Sequence, residues 1–203
     1  MKAVYIHGLG SDAGDELLRT ISEIVPLEPV FVDYSHLYEK EGWLTEVLSV
    51  VKEQIPREEH VMISHSFGGP LSAYLQNKET KALVFIAPAF SVNIGIRFTV
   101  LAEAARKGYA YFESKKGVWL SMKDLNTFFR LMQRAPAATV PFAIIVGEED
   151  LIVDNRAARA YFHKSNEKRS WFVEIAGAGH LFVDREKEIA EISEAFLRSL
   201  GII

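Results

Sequence analysis

Residues 5 to 16 read YIHGLGSDAGDE, and two different chemistries fit them. An apolar run (Ala3, Val4, Tyr5, Ile6) breaks into glycines, and Leu17, Leu18, Ile21, Ile24 and Val25 then fall on one face of a helix. The stretch is therefore a strand, a tight loop and a helix. Gly8, Gly10 and Ala13 match the G-x-G-x-x-G/A spacing of a dinucleotide-binding turn, and Asp33 ends the next apolar run (PVFVD) where a ribose-binding acid would sit. The same residues also spell His7-Gly8 at a strand end, where a backbone N–H can be offered to an oxyanion. Asp12, Asp15 and Glu16 weigh against the first option, because they crowd the helical turn on which a pyrophosphate would have to rest.

Working outward, 203 residues with 49% hydrophobic content suit one domain, residues 1–203, with a sizeable core. A net charge of −4 argues against a surface that tracks phosphates, so nucleic acid is not an expected partner. The absence of cysteine excludes disulfides, thiolate catalysis and cysteine-bound zinc. His36, His60 and His163 are scattered without ligand spacing, and neither a metal nor a cofactor is expected. No signal-peptide pattern opens the sequence and no run of 18 apolar residues interrupts it, which points to a cytoplasmic protein without membrane attachment. The oligomeric state is left open.

Apolar, β-branched runs recur at 2–6, 29–33, 60–64, 81–87, 140–146 and 170–175, with helical patterns between most of them. Leu44, Val47, Leu48, Val51 and Ile55 form one such stripe; Ile189, Ile192, Phe196 and Leu200 form the last, closed by Gly201. This alternation predicts an α/β fold: a mainly parallel six-stranded sheet with helices on both faces and sites at the carboxyl ends of the strands. Residues 91–139 are too many for one crossover and predict an inserted helical cap.

The third run leads into ISHSFGGPLSAYL, residues 63–75. Ser66 has Ser64 two positions before it and Gly68 two after, the small residues that a sharp strand-to-helix turn requires. At the start of the following helix, the Phe67 N–H would face developing negative charge. This segment resembles the nucleophile elbow of the α/β-hydrolase superfamily, with Ser64 in place of the first glycine of G-x-S-x-G. After the fifth run comes VGEEDLIV, in which Asp150 resembles the superfamily's triad acid, although Glu148 and Glu149 are neighbours that could serve instead. After the sixth comes AGAGHLFVD, in which His180 resembles the triad base. Ser, Asp, His is the superfamily's chain order.

The resemblance implies the strand order 2-1-3-4-5-6, which sets the His7-Gly8 loop beside Ser66 and makes the Leu9 N–H the second oxyanion donor. It also implies the reaction: a serine hydrolase cleaving a small carboxylic ester, or a thioester, through an acyl-enzyme on Ser66. The alternative is a non-catalytic protein-binding module on the same scaffold; a dinucleotide-binding oxidoreductase is the more distant one. His7 is expected to brace its loop, His65 to point away from Ser66, Asp33 to be a plain loop residue, and Asp154 and Asp184 to cap helices. Phe98, Tyr109, Tyr111, Phe112, Trp119, Met122, Phe128, Phe129 and Met132 are expected to wall an apolar pocket under the cap. Eight Lys or Arg against three acids give residues 91–139 a charge of +5, so an anionic ester is also considered.

Overall fold

The computed structural model describes residues 1–165 and 167–203. Six strands form one sheet: β1 (Lys2–Ile6), β2 (Glu28–Val32), β3 (His60–His65), β4 (Thr80–Ile86), β7 (Phe142–Gly147) and β8 (Trp171–Ile175). All neighbours pair parallel in the order β2-β1-β3-β4-β7-β8, which is 2-1-3-4-5-6 when only the sheet strands are numbered. Every residue of β3 and β7 is buried, as a parallel strand covered on both faces demands. The edge strands β2 and β8 keep partly exposed patterns.

The helices follow from their apolar stripes. α1 (Glu16–Ile24) starts where the Asp15 carboxylate accepts the Leu18 N–H at 3.2 Å, and it buries Leu17, Leu18 and Ile21. It packs against α7 (Glu186–Ser199), which buries Ile189 and Phe196 and ends before Gly201 at φ 71°. α2 (Val47–Gln54) packs against α3 (Gly68–Leu75); the residue stripe starting at Leu44 is split, because Trp43–Thr45 form a 3₁₀ turn first. α6 (Asn155–Ser165) lies between β7 and β8 and seats Tyr161 in a ring cluster with Phe85, Phe90 and Phe142. Asp154 caps α6 by accepting the Arg156 N–H at 3.0 Å. Asp184 does not cap α7: it lies at φ 63°, Arg185 is the N-cap residue, and the helix start has no side-chain cap.

Between β4 and β7 the chain forms α4 (Ile94–Lys107), the antiparallel pair β5 (Tyr109–Phe112) and β6 (Val118–Ser121), and α5 (Met122–Gln133). The hairpin adds strand to what the sequence presented as helical. One buried carboxylate anchors this segment. Asp124 completes a capping box with Ser121 and also accepts the Gly42 N–H at 3.1 Å and the Leu44 N–H at 3.3 Å. Among the described residues, no helix is long and apolar enough to cross a membrane.

Candidate active site

The turn after β3 is built from contact, not from flexibility. Ser66 sits at φ 52°, a strained conformation for a residue with a side chain, and hydrogen bonds hold it there. Its N–H donates to the Ile86 carbonyl at 2.9 Å, while its own carbonyl accepts the N–H groups of Gly69 at 3.0 Å and Ala89 at 2.9 Å. A Cβ on Gly68 would collide with the Ile6 carbonyl, so α3 can start this close to β1 only from glycine. Ser64 meets the crowding at the other small position: it is fully buried and its hydroxyl donates to the Val84 carbonyl at 3.3 Å.

The loops after β7 and β8 supply the other two residues and are laced together. Glu148 N–H donates to the Ile175 carbonyl, Glu149 N–H to the Ala178 carbonyl, and the Glu148 carboxylate accepts the Gly177 N–H at 3.0 Å. His180 Nε2 lies 2.9 Å from Ser66 Oγ, and its Nδ1 lies 2.7 Å from Asp150 Oδ2. The second carboxylate oxygen of Asp150 accepts the N–H groups of Ile152 and Val153 at 2.8 and 3.0 Å. The structure therefore brings Ser66, His180 and Asp150 into one chain of hydrogen bonds, while Glu148 and Glu149 are exposed and face elsewhere.

Burial and partners tune these groups in opposite senses. Burial favours the neutral His180 ring; the bond to Asp150 opposes it, the charge of His65 reinforces it, and the outcome is a pKa below the ordinary histidine value. Burial alone would raise the Asp150 carboxyl. The His180 contact and two backbone N–H groups outweigh it and hold Asp150 below the usual carboxylate range.

The loop after β1 lies against Ser66, and its glycines serve protein contacts. Gly10 has φ 78°, and a Cβ there would collide with the Ser114 side chain at the tip of the β5–β6 hairpin. Lys116 N–H donates to the Gly10 carbonyl at 3.1 Å, and Lys115 Nζ reaches Asp12 at 3.0 Å. The hairpin tip thus fills the space over the glycine turn, and Asp15 occupies the N-terminus of α1, which leaves a pyrophosphate neither room nor favourable charge. His7 braces the loop as its position suggested: it stacks on Tyr34 with 4.0 Å between centroids, and the Tyr34 hydroxyl donates to the His7 carbonyl at 2.7 Å. Asp33 Oδ1 accepts the Ser35 N–H, a local turn contact. The N–H groups of Leu9 and Phe67 have no acceptor among the described residues.

Leu9, Ser66, Phe67 and His180 line one cavity of about 410 Å³. Its walls are mainly apolar, from Val92, Ile96, Val100, Phe128, Phe129 and Val153. Of the nine aromatic and methionine side chains expected there, Phe112, Phe128 and Phe129 line the cavity and Met132 is buried. Phe98 on α4 and Met122 at the start of α5 are exposed, and so are Tyr109, Tyr111 and Trp119, which the hairpin's alternation turns to its outer face, where Trp119 packs on both tyrosines. No group of three or more metal-binding side chains occurs among the described residues. The His65 ring, expected to point away from Ser66, turns to the His180 carbonyl and to Asp15, which the sequence offered only as a charge against pyrophosphate; their contact depends on the β1–β3 pairing and was missed.

A doubly covered parallel sheet in this strand order, with a strained turn after β3 and long loops at the carboxyl ends of its strands, defines the α/β-hydrolase fold. The chain belongs to the uncharacterised protein family UPF0227, whose profile matches residues 2–197. No curated protein sequence matches it. Solved structures similar to it include the esterase domain of a Rhodothermus marinus protein (18% identity, TM-score 0.65, 98% of this chain and 86% of that one). A monoacylglycerol lipase of Paleococcus ferrophilus is 16% identical with TM-score 0.71, over 96% and 94% of the two chains. The mouse α/β-hydrolase domain-containing protein 10 is 16% identical with TM-score 0.74, over 98% and 89%. At these identities the likeness establishes the fold.

Proposed function

We propose that this protein is a serine hydrolase that cleaves a small carboxylic ester, or a thioester, through an acyl-enzyme on Ser66. The observation that carries the reading is the single imidazole bridging Ser66 Oγ and Asp150 Oδ2 at hydrogen-bond distance on both sides. Asp150 accepts from Nδ1–H, which leaves the Nε2 lone pair for the serine proton. Ser66 Oγ attacks the acyl carbonyl as His180 takes that proton, and the unpartnered N–H groups of Leu9 and Phe67 receive the oxyanion. Such donors are typically worth several kcal/mol in the transition state. His180 then protonates the leaving alcohol or thiol. Water, deprotonated by His180 in turn, releases the acid and restores Ser66. That solved structures of the same fold bear the names esterase and monoacylglycerol lipase is consistent with this reading.

The apolar cavity suits the acyl part of a neutral substrate. Lys115, the lysine on its lining, is already committed to Asp12, Lys116 lies 3.3 Å from the same carboxylate, and His65, also on the lining, faces Asp15 at 3.6 Å. The basic character of residues 91–139 is therefore partly cancelled at the site itself, and the proposal takes a neutral ester over an anionic one. The binding-module alternative has no observation that favours it.

Steady-state hydrolysis of nitrophenyl esters of increasing acyl length tests the proposal, with kcat/KM followed against pH. His180 must be neutral to act as base, and burial lowers its pKa, so activity is expected to rise through a limb below the ordinary value of about 6.5 and then level off. Absence of turnover by the folded protein at every chain length would overturn it; a limb lying clearly above that value would instead contradict the burial-lowered pKa of His180.

A further inference from the structure

His65 precedes Ser66 in the chain, and its ring is buried behind the reacting groups, its side chain only 6% exposed. Nε2 lies 3.2 Å from the backbone carbonyl of His180. A carbonyl can only accept, so Nε2 carries a proton. Among the described residues Nδ1 has no hydrogen-bond partner; it faces Asp15 Oδ2 at 3.6 Å, too long for a hydrogen bond and close enough for a strong charge contact. An unprotonated Nδ1 would aim its lone pair at a buried carboxylate; a protonated one meets the opposite charge. Nε2 facing an acceptor and Nδ1 facing a carboxylate are the surroundings that favour the doubly protonated ring.

Asp15 is fixed from its other side. One carboxylate oxygen caps α1 through the Leu18 N–H, and the other accepts the Ser11 hydroxyl at 2.9 Å. Asp15 belongs to the segment that carries Leu9, and His180 to the loop after β8. One side chain, His65, thus connects the segment that offers an oxyanion donor to the loop that holds the base.

We propose that Asp15 and His65 form a second acid–base dyad behind the first, in which His65 is a positioning residue that ties the His180 loop to the loop after β1 through the His180 carbonyl. Asp15 keeps His65 in the doubly donating form. The titratable groups that face His65 are Asp15 from the start of α1, Asp150 from the loop after β7 and His180 from the loop after β8. Burial by itself would strip its proton, but the Asp15 contact, the His180 carbonyl and the charge of Asp150 outweigh burial and raise its pKa. Asp15 is drawn down to about 2: burial opposes this, and the His65 contact, the Leu18 N–H and the Ser11 hydroxyl overcome it. With 5.3 Å between ring centroids, the His65 charge also favours a neutral His180. The dyad rests on the proposed function only in naming His180 the base.

The experiment is a titration of the imidazole nitrogens by long-range ¹H–¹⁵N correlation spectra of the whole protein, paired with kcat/KM against pH. In the wild type, His65 is expected to show two protonated nitrogens at pH 7, and His180 to titrate below the ordinary histidine range. Asp15→Asn keeps an oxygen to cap α1 and removes the charge. In that variant His65 is expected to lose one proton at neutral pH, and the His180 titration to move up by about half to one unit, with the acid limb of kcat/KM following it. His65→Gln retains an N–H that can reach the His180 carbonyl and carries no charge, so it should move His180 the same way; a purely structural lesion would lower the plateau without moving the limb. A singly protonated His65 in the wild type, or a His180 titration that is unchanged in Asp15→Asn, overturns the dyad. Should His65→Gln fail to fold, those two measurements still decide. Expected titrations in a protein without ester turnover would leave the dyad standing and refute the function instead.

Discussion

Replacing Ser66 with alanine is expected to lower kcat/KM toward a short-chain ester by roughly 10⁴- to 10⁶-fold, the range seen when the nucleophile of a cooperating triad is removed. The size follows from the geometry. Without Oγ, the His180 Nε2 that lies 2.9 Å away has no proton to take, and the acyl-enzyme route closes. Circular dichroism should show the same fold, because Ser66 is held by its backbone bonds to Ile86, Gly69 and Ala89, which alanine keeps. Ester kinetics on matched preparations check this. A Ser66→Ala protein with near wild-type turnover would remove the serine from the mechanism and return the chain to a different nucleophile or to a binding role.

Replacing Asp150 with asparagine is expected to lower kcat by about 10⁴-fold at pH values above the acid limb, with the fold unchanged. The amide oxygen can still accept the Ile152 and Val153 N–H groups, so the loop survives. The amide nitrogen, however, would meet Nδ1–H donor to donor. His180 then turns to the tautomer with Nδ1 unprotonated, Nε2 becomes the donor, and the base is lost. Glu149→Gln is the control: Glu149 is exposed and its side chain has no part in the chain of hydrogen bonds, so turnover should stay close to wild type. Kinetics of the two variants side by side distinguish the assignments; a damaged Glu149→Gln with an intact Asp150→Asn would reverse them.

The sheet and the candidate site were legible because they are written in local patterns. Continuous apolar runs identified β3, β4 and β7, and chemistry-bearing residues stood at the carboxyl ends of β3, β7 and β8 in an order that a parallel sheet brings to one edge. The β5–β6 hairpin was not legible. Its strands are four residues each, and YAYF and VWLS put Tyr109, Tyr111 and Trp119 outward, so their apolar character reads as pocket wall when only composition is weighed. The roles of Asp124, Asp15 and His65 depend on pairings across long separations in sequence, 82 residues from Gly42 to Asp124 and 115 from His65 to His180. No window along the chain contains them. Asp184 misled for a local reason: an acid before a helix resembles a cap, but at φ 63° it lies outside the helix start, and Arg185 takes the N-cap position.

Covalent labelling tests the activation of Ser66 without a substrate: incubate the folded protein with a fluorophosphonate, which reacts with an activated serine hydroxyl, and map the modified residue by peptide mass spectrometry. Ser66 stands half-exposed at the turn within reach of His180, whereas Ser64, two residues earlier, is fully buried with its hydroxyl bound to the Val84 carbonyl. The expected result is one phosphonylated peptide, carrying the group on Ser66, that disappears in Ser66→Ala. Modification of Ser64, or a folded protein that takes up no label at all, would contradict the account.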